Sequence, residues 1–211
     1  MDVMKRLLFE AKIYVVLDRQ VNDYDQLFEI IKQVSQCGVG IFQIRDKFGS
    51  SKDILQFSKC ALSYLKGKIP FIVNDRVDLA LASCADGVHL GQDDLSVTFA
   101  RKMLGLKKVI GVSCQTLQQA LNAQQEGADY IGFGSVFKTL TKPDRNAMDL
   151  KLLTSVAREI NIPVFPIGGI NLGNIHHIRD AGIKRVALTR AICSAEEVEF
   201  TTRRILEALE S

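Results

Sequence analysis

VIGVSCQTLQQALNAQQEGADYIG, residues 109–132, holds one complete strand–helix–strand unit. Val109–Val112 is a short, β-branched apolar run of the kind that forms a buried strand. Leu117–Glu126 has amphipathic helical spacing, and Gly127 can supply the left-handed residue that ends a helix. A second apolar run follows at Tyr130–Gly132. The same beat extends both ways along the chain. Strands are expected upstream at Ile13–Leu17, Gly40–Ile44, Pro70–Val73 and Gly87–Leu90, and downstream at Val164–Ile167 and Arg185–Leu188. The helical runs between and after them are Tyr24–Gln36, Ser51–Leu65, Asp78–Ser83, Val97–Leu104, Leu150–Glu159, Asn174–Ala181 and Glu196–Leu209. Gly38, Gly67, Gly105 and Gly182 fall where Gly127 does, at the ends of helical runs. The triplets GAD (127–129) and AGI (181–183) look like equivalent helix-to-strand turns.

Eight strands alternating with helices in 211 residues predict an α/β protein of the (β/α)8 TIM-barrel class with few insertions. No linker or low-complexity tract breaks the pattern, so residues 1–211 are expected to form a single domain. An open doubly wound sheet would use fewer strands and carry a glycine fingerprint after the first one. The sequence there is LDRQVND (17–23).

Composition narrows the function. Hydrophobic residues make up 47% and charged residues 24%, and the net charge is only +3, so a general nucleic-acid binder is not indicated. No apolar run approaches the roughly 18 residues of a membrane span, and MDVMKRLLFEAK makes a poor signal peptide. Cys37, Cys60, Cys84, Cys114 and Cys193 are odd in number, scattered, and without a CxxC spacing. A disulfide framework or zinc site is therefore not expected, and a reducing cytoplasm is. Oligomeric state stays open, a homo-oligomer included.

In a barrel of this class the chemistry sits at the carboxyl ends of the strands. After strand two comes QIRDK (43–47), where alternation puts Gln43, Arg45 and Lys47 on one side. A guanidinium fork and an ammonium suit a phosphate or pyrophosphate; a solvated charged strand end is the alternative. After strand three come Asn74 and Asp75, and after strand four Asp93 and Asp94. Each could cap the helix that follows. Together they bring carboxylates from two loops to the rim that holds Arg45 and Lys47, a mixture suited to Mg2+ with substrate phosphates. The loop after strand six, GSVFKTLTKPDRNAMD (134–149), is long for a compact barrel and offers Thr139, Thr141 and Lys142. Gly168 and Gly169 after strand seven, with Thr189 and Arg190 after strand eight, fall where these barrels bind phosphate. Two anion sites on one rim imply two phosphorylated reactants or one bisphosphate. Ser113 could hydrogen-bond a heterocycle. Cys114 reads as a buried, inert thiol, His89 as a packed core residue, and His176 and His177 as mid-helix residues away from the rim.

These motifs, QIRDK, VNDRVDLA (73–80), DGVHLGQDD (86–94), GVSCQT (111–116), GADYIGFGSVFKTLTK (127–142) and IGGINLGNI (167–175), resemble in sequence and order those of the thiamine phosphate synthase family. The resemblance implies a Mg2+-dependent enzyme that joins hydroxymethylpyrimidine pyrophosphate to a thiazole phosphate and releases pyrophosphate. It implies Asp75 and Asp94 as metal ligands and Arg45, Lys47, Asn74 and Lys142 as the pyrophosphate site. Gln43 and Ser113 would orient the pyrimidine, with Arg45, Lys47, Ser113 and Lys142 closest to the reaction. Thr139, Thr141, Gly169, Thr189 and Arg190 would surround the thiazole phosphate. The sequence departs from the family pattern at Gln115, where histidine is common, at Ser135 and Lys138, usually proline, and at Arg190, usually serine. Two rival readings are a thiazole tautomerase relative and a non-catalytic phosphate-ligand binder. The first would want the histidine that Gln115 replaces, since an amide cannot shuttle protons.

Overall fold

The computed structural model describes residues 3–139 and 147–211. The strands are β1 (Ile13–Asp18), β2 (Val39–Arg45), β3 (Phe71–Asn74), β4 (Gly87–Leu90), β5 (Val109–Cys114), β6 (Tyr130–Phe133), β7 (Val164–Pro166) and β8 (Val186–Leu188). The helices are α1 (Val3–Glu10), α2 (Tyr24–Val34), α3 (Ser51–Leu65), α4 (Val77–Ser83), α5 (Val97–Leu104), α6 (Leu117–Gln125), α7 (Leu150–Glu159), α8 (His176–Asp180), α9 (Arg190–Cys193) and α10 (Val198–Glu210). The eight parallel strands hydrogen-bond in the order β7-β6-β5-β4-β3-β2-β1-β8, which wraps them into a nearly closed (β/α)8 barrel. All eight expected strands form, most within a residue or two of the expected bounds. The turns at Gly127 and Gly182 are equivalent, with φ of +91° and +84°. No helix among the described residues is long and apolar enough to cross a membrane.

Alternation along each strand sorts the core into two layers. Ile13, Val15 and Leu17 of β1 face the helices, as do Phe42 and Ile44 of β2 and Phe71 and Val73 of β3. Tyr14 and Val16, Ile41, Ile72, Val109, Tyr130, Phe165 and Ala187 fill the barrel interior. Both faces are buried, which is why the strands appear in the sequence as continuous apolar runs.

The sequence pattern passes over α1. Its Leu8 is 1% exposed and joins the interior cluster, with Met4 packed against it, so α1 stoppers the amino-terminal end of the barrel. The helix is only eight residues long with a single fully buried side chain, so its brief apolar run does not stand out as an element of the barrel. Leu8→Ala should cost about 2–4 kcal/mol through lost burial and a residual cavity. Urea denaturation measures this, and an unchanged midpoint would remove Leu8 from the barrel floor.

Candidate active site

At the opposite end, the inward-facing positions turn polar. Asp18 ends β1, Gln43 and Arg45 end β2, Asn74 ends β3, His89 stands in β4, Ser113 in β5 and Thr189 follows β8; all line one cavity of about 430 Å3. Thr139, Gly169 and Arg190 line it too, so every expected substrate-binding residue within the described part except Lys47 reaches its wall. Thr141 and Lys142 lie outside the described residues.

Arg45 is held rather than loose. Its Nη1 donates to Asp18 Oδ2 at 2.7 Å, and Asp18 is completely buried. Asp18 is anchored in turn, its Oδ1 accepting from the Gln20 amide at 2.9 Å. The sequence reading does not single out Asp18, although the rule that strand ends carry the chemistry covers β1 as well.

Lys47 lies past the end of β2 and pairs with Asp75. Asp75 occupies the left-handed region at φ +61°, uncommon for a residue with a side chain but more accessible to Asp than to most. Its amide donates to the His89 carbonyl at 2.8 Å, tying this turn to β4. Burial pushes the Asp75 carboxyl above its ordinary range; the Lys47 ammonium opposes this, and the facing Asp94 carboxyl adds to it. Asp94 Oδ2 accepts from the Gly91 amide at 2.6 Å. Neither carboxylate caps a helix. Ser96 is the N-cap of α5, and Arg76 is the N-cap residue of α4, with no side-chain cap bond. The capping alternative thus fails at both places, because each acid is turned back toward the rim instead of along the next helix.

Two other expectations change. His89 is buried but not merely packed: Nδ1 lies 3.0 Å from the Tyr130 hydroxyl and Nε2 2.9 Å from Ser113 Oγ. His176 and His177 open α8 rather than sitting in its middle, and the His177 ring lies 6.1 Å from Phe137 in the loop after β6. Gly168 and Gly169, at φ +106° and +65°, line the cavity and are also required by packing: a Cβ would come within 2.7 Å of Ser135 at the former and 2.3 Å of the Lys138 carbonyl at the latter. Cys114 is the inert thiol expected, buried, with its pKa pushed up to about 12 by desolvation.

The family model "Thiamine monophosphate synthase" matches residues 13–192. The thiamine-phosphate synthase of Ruminiclostridium cellulolyticum is 39% identical over 196 residues, covering 92% of this chain and 93% of that one. That of Clostridium acetobutylicum is 38% identical over 198 residues, covering 92% of each. The chain belongs to the thiamine monophosphate synthase family. A solved thiamine phosphate pyrophosphorylase from Pyrococcus furiosus superposes with a TM-score of 0.85 at 32% identity, covering 97% of this chain and 98% of that one. Membership of the thiamine monophosphate synthase family makes the chain an enzyme, a transferase of thiamine biosynthesis. Three of the four positions read as departures from the family pattern line the cavity. These are Lys138, Arg190 and Ser135, the last buried at 7% exposure beside Gly168, while Gln115 is exposed at the start of the turn into α6.

Proposed function

We propose that this enzyme condenses 4-amino-2-methyl-5-hydroxymethylpyrimidine pyrophosphate with hydroxyethylthiazole phosphate, giving thiamine phosphate and pyrophosphate. The observation that carries the reading is the meeting of Lys47, Asp75 and Asp94 at the rim, next to a cavity lined by Arg45, Asn74, Gln43 and Ser113. Such a rim suits a departing diphosphate and not a protein nucleophile. Arg45, oriented by Asp18, and Lys47 grip the diphosphate oxygens as charge builds on them. Lys142 is assigned to the same task on its place in the TLTK motif. Asn74 donates to the diphosphate, while Gln43 and Ser113 align the pyrimidine. The carbon–oxygen bond to the diphosphate breaks first, and the thiazole nitrogen captures the resulting pyrimidine-methyl cation. The walls must hold the two rings face to face and keep water from that cation.

Asp75 and Asp94 fit Mg2+. Two facing carboxylates, one made harder to ionise by burial and by the other, gain from a cation between them. The described residues contain no cluster of three or more metal-ligating side chains, and Mg2+ often makes do with two carboxylates plus phosphate oxygens and water. When bound, the ion would supply charge neutralisation for the diphosphate.

Thr139, Thr141, Gly169, Thr189 and Arg190 are assigned to the thiazole phosphate. Arg190→Ser should raise KM for the thiazole phosphate about tenfold through loss of a charge-assisted hydrogen bond, with KM for the pyrimidine reactant unchanged. Steady-state kinetics with each reactant varied in turn checks this, and an unmoved thiazole KM would take Arg190 out of the phosphate site. The five cysteines are all unpaired, which suits a reducing cytoplasm. The whole reading is tested by mixing both reactants with the enzyme, with and without Mg2+, and measuring pyrophosphate release. No Mg2+-dependent release would sink it.

A further inference from the structure

Five side chains from five strands form one unbroken hydrogen-bonded chain across the barrel interior. Gln43 Nε2 donates to the Tyr14 hydroxyl at 2.6 Å. The Tyr14 and Tyr130 hydroxyls are 2.8 Å apart, and Tyr130 reaches His89 Nδ1 at 3.0 Å. His89 Nε2 completes the path to Ser113 Oγ at 2.9 Å. The first and last members, Gln43 and Ser113, line the cavity.

Counting protons gives this chain a direction. Each hydroxyl has one proton to donate, a neutral imidazole has one N–H, and an amide NH2 only donates. Tyr14 already accepts from Gln43, so its own proton goes to Tyr130. Tyr130 then donates to His89 Nδ1. The imidazole proton must sit on Nε2 and point to Ser113 Oγ. Ser113 keeps its hydroxyl proton for the cavity, and Gln43 keeps its carbonyl oxygen for it. Turning any one link around would leave two donors or two acceptors face to face in a buried site, where an unmade hydrogen bond is costly.

The barrel is shaped to hold this chain. A Cβ on Gly111 would fall 2.0 Å from the Tyr130 ring, and one on Gly132 would fall 3.1 Å from His89 Cε1. These two glycines, at inward positions of β5 and β6, make room for the two rings. Tyr14, Tyr130 and Phe165 pack edge-to-face around them, with ring centroids 5.5–5.8 Å apart. Burial also pushes both phenols upward from their ordinary pKa, so both remain protonated donors.

We propose that Tyr14, Tyr130 and His89 are positioning residues that set the hydrogen-bond polarity of the cavity floor, presenting a donor at Ser113 and an acceptor at Gln43. That polarity selects a heterocycle with an exocyclic amino group toward Gln43 and an unprotonated ring nitrogen toward Ser113. This rests on the function proposed above, for which a 4-aminopyrimidine is the matching ring. A ring bearing a carbonyl in place of the amino group meets the Gln43 oxygen with a second acceptor and is rejected.

Two measurements test the proposal. Nitrogen-15 NMR of the ligand-free enzyme should show His89 as the Nε2–H tautomer. A His89 protonated on Nδ1 alone would overturn the polarity, whatever the kinetics. Tyr130→Phe keeps the ring and cuts the chain between Tyr14 and His89. It should convert His89 to a mixture of tautomers, lower kcat/KM for the amino-pyrimidine diphosphate about tenfold, and shrink its preference over the 4-hydroxy analogue by a similar factor. KM for the thiazole phosphate should not move. A folded Tyr130→Phe with full discrimination between the two pyrimidines would also overturn it. The tautomer is measured on the wild-type chain, so it decides the matter even if the variant does not fold. Wild-type enzyme that shows the Nε2–H tautomer but no coupling would refute the proposed reaction and leave the polarity standing.

Discussion

Asp75→Asn should slow pyrophosphate release by about a hundredfold or more at saturating reactants and raise the Mg2+ concentration needed for half-maximal rate. The substitution is chosen because it should leave the fold intact. Asp75 sits at φ +61°, a conformation that Asn tolerates as well as Asp, and its amide bond to the His89 carbonyl does not involve the side chain. What changes is charge. Lys47 loses its anionic partner, and the facing pair of carboxylates becomes a single one. Asp94→Asn should act in the same direction. An asparagine there still has an oxygen to accept from the Gly91 amide, so the turn survives while the charge goes. Titrating Mg2+ against initial rate, with thermal denaturation as a control on folding, separates the two contributions. Wild-type rates at limiting Mg2+ in either variant would exclude that residue as a ligand.

The barrel was legible because its strands are buried on both faces, so short apolar runs recur at a steady interval with amphipathic runs between. Alternation then placed Gln43 and Arg45 correctly on the inner face, and both line the cavity. Where periodicity is weak, the signal fails. α1 is eight residues long and buries one side chain fully, too short a run to establish a period. Asp93 and Asp94 looked like caps because they precede a helix, but Ser96, two residues closer, takes that role and frees Asp94 to turn back. The interior polar chain is the hardest part to foresee. Residues 14, 43, 89, 113 and 130 are distant in sequence; Gln43 and Ser113 read as rim residues, and Tyr14, His89 and Tyr130 as ordinary contents of a core strand. Only the closed barrel brings their hydroxyl, amide and imidazole groups into line. His89 shows the difficulty best: its burial was foreseeable, its two hydrogen-bond partners were not.

Arg45→Ala and Asp18→Ala should each lower stability and turnover, and the double variant should regain stability without regaining turnover. Arg45 Nη1 and Asp18 Oδ2 are 2.7 Å apart; the Asp18 side chain is fully buried and that of Arg45 is 13% exposed. Removing either partner strands an opposite charge in a site with little water, at a cost of about 2–4 kcal/mol, the lower end reflecting Arg45's position at the cavity mouth. Removing both eliminates the stranded charge, so the losses should fall well short of additive. Turnover should follow a different rule. Arg45 is assigned to the diphosphate, so its loss should cost about a hundred- to thousandfold in kcat. Asp18→Ala keeps the guanidinium but lets it move, which should cost about tenfold through misplacement. The double variant should then turn over no faster than Arg45→Ala alone. Denaturation and coupling rates measured on the same four proteins give both cycles. Additive stability losses would mean the pair is not an interacting unit, and a full rate in Arg45→Ala would remove the guanidinium from the diphosphate site and with it the central support for the proposed reaction.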